Sequence, residues 1–241
     1  MTQSIEIISL VYKSKSYLDF ICSQLASSLC KADGWDVSAR VVGNNPAAEI
    51  LNALPDCGTP YSVYNDPEPE AYYLERVYRC WNHAVQTSRY DNVCLVNSDM
   101  AFSPDWLDNL LKHHDGVNIP CSRLVESGKL DSGQHGIDMD FGRTPSEFRV
   151  EEFTSFATYV SQVCAEIVKP GGLFMPVVFN REQFLSRGGY PEGNQDAGAP
   201  GEKSGDAYFF NDILEQRYVM KHVTAFDSVV YHIQEGEQDA P

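Results

Sequence analysis

Four consecutive apolar residues, Val93-Cys94-Leu95-Val96, stop abruptly at Asn97-Ser98-Asp99, and this transition limits the chain to few architectures. An uninterrupted apolar run of that length fits a strand covered on both faces, as in a parallel sheet flanked by helices. Ser103-Pro104-Asp105 follows and predicts a helix, with Ser103 as N-cap and Pro104 at the first helical position. A buried strand that ends in polar oxygen atoms ahead of a helix sets those atoms at the carboxyl edge of a sheet, where open α/β sheets bind ligands. Asp99 offers a hard anionic oxygen and Asn97 a neutral one, both suited to Mg²⁺ or Mn²⁺ carrying a phosphate. Taken alone, the same residues more often make a strand-end turn.

The rest of the chain repeats the alternation. Residues 5–12 read as a strand. Ser16 then caps a helix whose apolar positions Leu18, Ile21, Cys22, Leu25 and Leu29 follow the helical period. Residues 35–42 read as a second strand, 43–46 as a turn, and a short helix begins near Ala47. Residues 61–64 form a third strand, and a helix over about 70–86 presents Tyr73, Val77, Trp81, Ala84 and Val85. Strands alternating with helices predict a mostly parallel α/β sheet. Beyond 117–121 the pattern changes. A polar, Gly-rich stretch (122–145) precedes a helix over 146–166, a strand over 173–179, and a short helix capped by Asn180 that ends at Gly188-Gly189. Residues 190–205 read as a long functional loop. A helix over 206–216 and two short strands, 219–224 and 228–232, complete the order. Residues 233–241 read as a frayed tail. No repeat or linker interrupts the chain. The expected organisation is a single domain over 1–241, with a nucleotide-binding half (about 1–121) and an acceptor-binding half (about 122–232).

Composition narrows the function. With 241 residues and 43% apolar content, the chain can build a substantial core. A net charge of −16 disfavours broad contact with nucleic acid or anionic membranes. It also leaves few spare cations for a diphosphate, which makes a metal useful. The seven cysteines are scattered without the spacing of a zinc site, several within apolar patterns, as expected of buried free thiols. No apolar run has the length of a membrane span and no signal peptide is apparent, so a cytoplasmic protein is expected.

In order, these segments resemble glycosyltransferase family 2, with its GT-A fold. Ile7 to Leu18 is similar to that family's first strand, Tyr-containing turn and first helix. Val41-Val42-Gly43-Asn44-Asn45 is similar to the end of its second strand. Arg79-Cys80-Trp81-Asn82-His83-Ala84 is similar to the helix that precedes the metal motif, and Asn97-Ser98-Asp99 takes the place of Asp-x-Asp. The segment 181–190 is similar to the acceptor-side helix and turn. Ser204 to Phe210 resembles the segment that supplies the base, and Ser228 to His232 the final strand with its metal-binding histidine. The resemblance implies a Rossmann-like single domain and transfer of a sugar, with inversion, from a nucleoside-diphosphate donor to an acceptor hydroxyl. Asp99 and His232 are the implied ligands of Mn²⁺ or Mg²⁺. Asp206 is the implied general base. Tyr12, Asn44, Asn97 and Ser98 are the implied donor contacts, Tyr12 as a flat platform for the base. The acceptor would be a glycan, a glycolipid or modified DNA.

Three positions depart from the family pattern: Gly43 where an acid often reads the base, Asn97 for the first aspartate, and Gly205 where glutamate often precedes the base. They keep open a nucleotide-sugar or carbohydrate-binding protein without catalysis. A nucleotidyltransferase ranks last, because the turn Val11-Tyr12-Lys13-Ser14-Lys15-Ser16 lacks the glycines of a phosphate loop. Bland readings stand beside the functional ones: Asp206 as a helix cap, His232 as a satisfied histidine, Tyr12 as core. Trp81 and Trp106 read as core. His83, His113 and His114 read as surface or helix-packing residues, and His135 has no evident partner.

Overall fold

A computed structural model describes residues 3–28, 32–128, 132–192 and 205–234. It is a mixed α/β structure built on one ten-stranded, mostly parallel sheet with helices on its faces. The elements, in order, are β1 (Gln3–Val11), α1 (Lys15–Ser28), β2 (Trp35–Asn44), α2 (Ala48–Ala53), β3 (Tyr61–Tyr64), α3 (Tyr73–Thr87), β4 (Asn92–Val96), β5 (Met100–Phe102), α4 (Trp106–Leu111), β6 (Asn118–Glu126) and β7 (Gly136–Asp138). Then come α5 (Val150–Val163), β8 (Val168–Pro170), β9 (Val177–Asn180), α6 (Arg181–Ser186), α7 (Gly205–Tyr208) continuing into π-helical turns (Phe209–Arg217), and β10 (Lys221–His232).

The sheet runs β3-β2-β1-β4-β9-β6-β10-β5, with β7 beside β6 and β8 beside β10. β1, β2, β3 and β4 are parallel, as are β6 and β10. All five residues of β4 are buried, as its apolar run requires. One face packs on α1, α2 and α4 through Leu18, Ile21, Leu25, Ile50, Trp106 and Leu110. The other packs on α3, α6 and the π-helical segment through Trp81, Phe184, Tyr190, Phe209 and Phe210.

Several boundaries differ from the sequence reading, for local reasons. The helix after the central strand begins at Trp106, not at Pro104; Asp105 rather than Ser103 holds the cap position, and Ser103 contributes its carbonyl to the Trp106 N–H in a preceding turn. Ser16 lies inside α1, which begins at Lys15. Asn180 does cap α6, accepting from the Gln183 N–H at 3.0 Å. β5 was not expected. It pairs antiparallel with the end of β10, and three residues are too few to show periodicity. β6 runs on to Glu126 because its polar Ser122 and Arg123 are accommodated inside the fold.

The two strands expected near the end are one, β10. Its register against β6 jumps between Ala225 and Val229, so Phe226, Asp227 and Ser228 form a bulge. The bulge is stitched to its surroundings: the Asp227 carbonyl accepts from Asn109 and Ser161, and the Ser228 hydroxyl donates to the Trp106 carbonyl. Ile233 and Gln234, assigned to the tail by sequence, are buried. Trp81 and Trp106 are core residues, and the six described cysteines other than Cys30 are free thiols. Among the described residues no helix is long and apolar enough to cross a membrane.

Candidate active site

Asp99 and His232 are 133 positions apart in sequence and meet at the sheet edge. Asp99 leaves the end of β4, and the next residue, Met100, opens β5. That strand pairs Met100 with His232, and the Ile233 N–H donates to the Asp99 carbonyl at 3.0 Å. Asp99 Oδ2 consequently lies 3.3 Å from His232 Nε2. Both residues are largely buried, and Asp99 Oδ1 is buried without a partner among the described residues.

The other ring nitrogen, His232 Nδ1, lies 3.0 Å from Glu126 Oε1 at the end of β6. Glu126 and His232 are register partners on parallel strands, so their side chains leave the same face side by side. Burial works to lower the pKa of His232, but the charges and hydrogen bonds of Asp99 and Glu126 carry it up to about 10. Glu126 escaped the sequence reading because β6 was ended at Cys121. The available signal was Leu124-Val125 followed by an acid, the same apolar-to-polar step that marks the end of β4.

A second group of polar atoms surrounds the ends of β1 and β2. Tyr12, half-buried, follows β1; its ring lies 6.5 Å from that of Tyr73, and the Arg76 guanidinium sits over it at 5.7 Å. Its carbonyl accepts from the Ala47 N–H. Asn45 accepts the Asp66 N–H on Oδ1, and Asp66 holds Arg79 by a 2.8 Å ion pair. Burial alone would raise the Asp66 carboxyl, but the Arg79 hydrogen bond and the Glu68 N–H bring it below the usual carboxylate range. Asn44 Oδ1, Asn45 Nδ2, Arg76 Nε and Arg79 Nη2 are buried and have no partner among the described residues. Buried polar groups are normally satisfied, so a concentration of exceptions is what a polar ligand site leaves. Arg76, Arg79, Asn45 and Asp66 were missed by sequence, because only the fold brings the ends of β2 and β3 to the start of α3. Asn97 and Ser98 are half-buried in the turn between β4 and β5.

Asp206 stands in the first turn of α7, one residue inside the helix rather than at its cap, with Oδ1 accepting from the Ala207 N–H at 2.7 Å. Its neighbours include Tyr78 on α3 and Tyr190. Burial and then the Asp206 charge raise the phenol pKa of each. Helix α3 is thus common to two clusters, Arg76 at Tyr12 and Tyr78 at Asp206. The expected loop over 190–205 falls mainly on residues 193–204, outside the described residues.

Two of the departures from the family pattern have steric causes. A Cβ on Gly43 would lie 3.0 Å from Pro46 Cγ and 3.2 Å from Leu54 Cδ1, so any side chain there must push these two neighbours aside. A Cβ on Gly205 would lie 2.6 Å from the Tyr78 ring, so the start of α7 can seat on α3 only with glycine at that position.

The histidines outside the site have structural partners. His114 reaches Asn92, and His113 lies 3.6 Å from Asp227. His83 stacks near Tyr64, and His135 pairs with Thr224 at 2.8 Å.

No family profile and no curated protein matches the sequence. Solved structures do. The chain is similar to the mannosyltransferase PcManGT from Pyrobaculum calidifontis, solved in complex with GDP-Man and Mn²⁺, with a TM-score of 0.61 at 14% identity over 96% of this chain and 58% of that one. It is also similar to S. aureus TarS 1-349, with a TM-score of 0.56 at 12% identity over 95% of this chain and 60% of that one. The chain therefore spans about three-fifths of the length of these proteins. Likeness at such identity establishes the fold, which is that of glycosyltransferases.

Among the described residues no group of three or more His, Cys, Asp and Glu is arranged to enclose a divalent cation. Asp99 Oδ2 and His232 Nε2 nevertheless form a pair of hard and borderline donors, with Asp99 Oδ1 left over. Two protein ligands fit a cation whose remaining positions are filled by phosphate oxygens and water.

Proposed function

We propose that this chain transfers a sugar from a nucleoside-diphosphate donor to an acceptor hydroxyl, with inversion at the anomeric carbon and dependence on Mn²⁺ or Mg²⁺. The observation that carries the reading is the Asp99–His232 pair, brought to 3.3 Å by the pairing of β5 with the end of β10. Its agreement with the fold of a mannosyltransferase whose structure holds GDP-Man and Mn²⁺ supports the reading.

In this scheme Asp99 and His232 would hold the cation, His232 through Nε2 after releasing its Nε2 proton to solvent. Bound there, a divalent cation supplies charge neutralisation for the departing diphosphate. Tyr12 gives the nucleobase a flat face, with Asn44 at the end of β2 as a polar contact and Asn97 and Ser98 beside the ribose or phosphates. Asp206 accepts the proton of the acceptor hydroxyl. Residues 1–121 make the donor half and 122–232 the acceptor half. The acceptor class stays a glycan, a glycolipid or modified DNA.

A thermal-shift screen of nucleoside diphosphates with and without Mn²⁺ tests the reading, because a ligand that binds only the native state raises the melting temperature by mass action. A rise with UDP or GDP that needs Mn²⁺ is the expected result. No nucleotide giving a shift under either condition would overturn it.

A further inference from the structure

We infer that Glu126 is a positioning residue that fixes the ring of His232 for metal binding; the inference rests on the metal reading above. An imidazole can ligate only through a nitrogen whose lone pair is free. A neutral ring has one such nitrogen, and the hydrogen bond made by the other decides which it is. Here Nδ1 faces Glu126 Oε1 at 3.0 Å while Nε2 faces Asp99. A carboxylate accepts only, so between Glu126 and Asp99 both ring nitrogens carry protons. When a cation takes the place of the Nε2 proton, the Glu126 carboxylate keeps the other proton on Nδ1, and Nε2 is the nitrogen that supplies the lone pair. The carboxylate also makes Nε2 a stronger donor, as in other carboxylate–histidine–metal arrangements.

Glu126 is built into this position. It is 4% exposed, its strand register sets it beside His232, and its second oxygen accepts from the Ser132 hydroxyl. Its carbonyl accepts from the Met139 N–H at 2.9 Å. β7 pairs alongside β6 at this point, and a Cβ on Gly136 would lie 2.5 Å from Ser132 Cβ. One carboxylate oxygen is engaged by His232 and the other by Ser132, which orients the group toward the ring. A buried glutamate with no such task would be a costly residue at a strand end.

The test compares the whole chain with its Glu126→Gln and Glu126→Leu variants. Mn²⁺ affinity is read by electron paramagnetic resonance, alone and with UDP or GDP. The protonation pattern of the His232 ring is read by ¹⁵N NMR in the Mg²⁺-loaded proteins. Glu126→Leu should weaken Mn²⁺ binding about 10–100-fold, the range for removing a partner of a metal-bound histidine. Glu126→Gln keeps an accepting oxygen and should lose less. The ring should hold its proton on Nδ1 in the wild type and in Glu126→Gln, and distribute it over both nitrogens in Glu126→Leu. If Glu126→Leu does not fold, the order of affinities from wild type to Glu126→Gln, with the same NMR signature, decides. Unchanged Mn²⁺ affinity and ring protonation in folded variants would overturn the inference while leaving the metal reading intact. A wild type that binds no Mn²⁺ in any combination would overturn both.

Discussion

The Ile233 N–H donates to the Asp99 carbonyl at 3.0 Å, so the residue that follows His232 is bonded to the residue that His232 faces. Main-chain pairing, rather than the side chains themselves, brings the candidate ligands together. Removing one side chain should therefore leave the scaffold in place. Asp99→Ala is expected to retain the native melting temperature within a few degrees and to lose the difference between nucleoside-diphosphate affinity in Mn²⁺ and in EDTA. Isothermal titration under the two conditions checks this, and a difference retained in the variant would remove Asp99 from the metal site.

Asp206 separates chemistry from binding. A base acts in the transition state, so its removal should lower turnover far more than donor affinity. Asp206→Asn keeps the shape, and its side-chain oxygen can still accept the Ala207 N–H. Turnover should fall about 10²–10⁴-fold with donor affinity nearly unchanged. Wild-type turnover with the true acceptor would move the base elsewhere.

Glycine at 205 is demanded by Tyr78. Gly205→Ala drives a methyl into the ring and is expected to cost about 1–3 kcal/mol, as overpacked sites do. Trimming the ring with Tyr78→Val should reduce that penalty, which a double-mutant cycle on chemical denaturation measures. Additive penalties would mean that the two residues do not touch. By the same argument Gly43→Asp should crowd Pro46 and Leu54 and lower stability, which the same denaturation measurement checks.

Stability should fall in mild acid because of His222. Burial dominates its environment, and its pKa drops from 6.5 to about 4, with the ring neutral and Nε2 donating to the Leu173 carbonyl. The unfolded chain protonates this ring below about pH 6.5 while the folded chain does not until about pH 4, so the unfolded state binds more protons in that window. The contribution of His222 is complete above this window and is lost as pH falls through it, by roughly 3 kcal/mol. Denaturation midpoints between pH 7 and pH 4 measure the slope, and His222→Gln should flatten it. An unchanged slope in that variant would assign the acid sensitivity to other groups.

The elements legible in the sequence are those whose signals are periodic or contiguous. β4 announces itself as an apolar run, α3 carries its buried residues at helical spacing, and Asn180 caps a helix within four residues of sequence. The rest depends on contacts between distant segments. β5 is three residues long and exists only because β10 offers it an edge. The bulge split one strand into two apparent strands, since periodicity breaks wherever residues are added. The same difference divides the site. Asp99 and His232 could be proposed from their order in a resemblance. Glu126, Arg76 and Asp66 could not, because the partners that give them meaning lie between 13 and 106 positions away.

The bulge in β10 also sets a parity. Val229 takes the register place beside Arg123 that Phe226 would otherwise occupy, so three residues are inserted, an odd number. Side chains alternate along a strand, and an odd insertion exchanges the faces of even-numbered and odd-numbered residues beyond it. Before the bulge, His222 faces the cluster of Phe174 and Phe210; after it, Tyr231 faces that side of the sheet and His232 the other, beside Glu126. If the ladder resumed one residue later along β10, Ile233 rather than His232 would stand beside Glu126. The point at which the bulge hands the strand back to the ladder is thus as much a condition of the site as the identity of any residue in it.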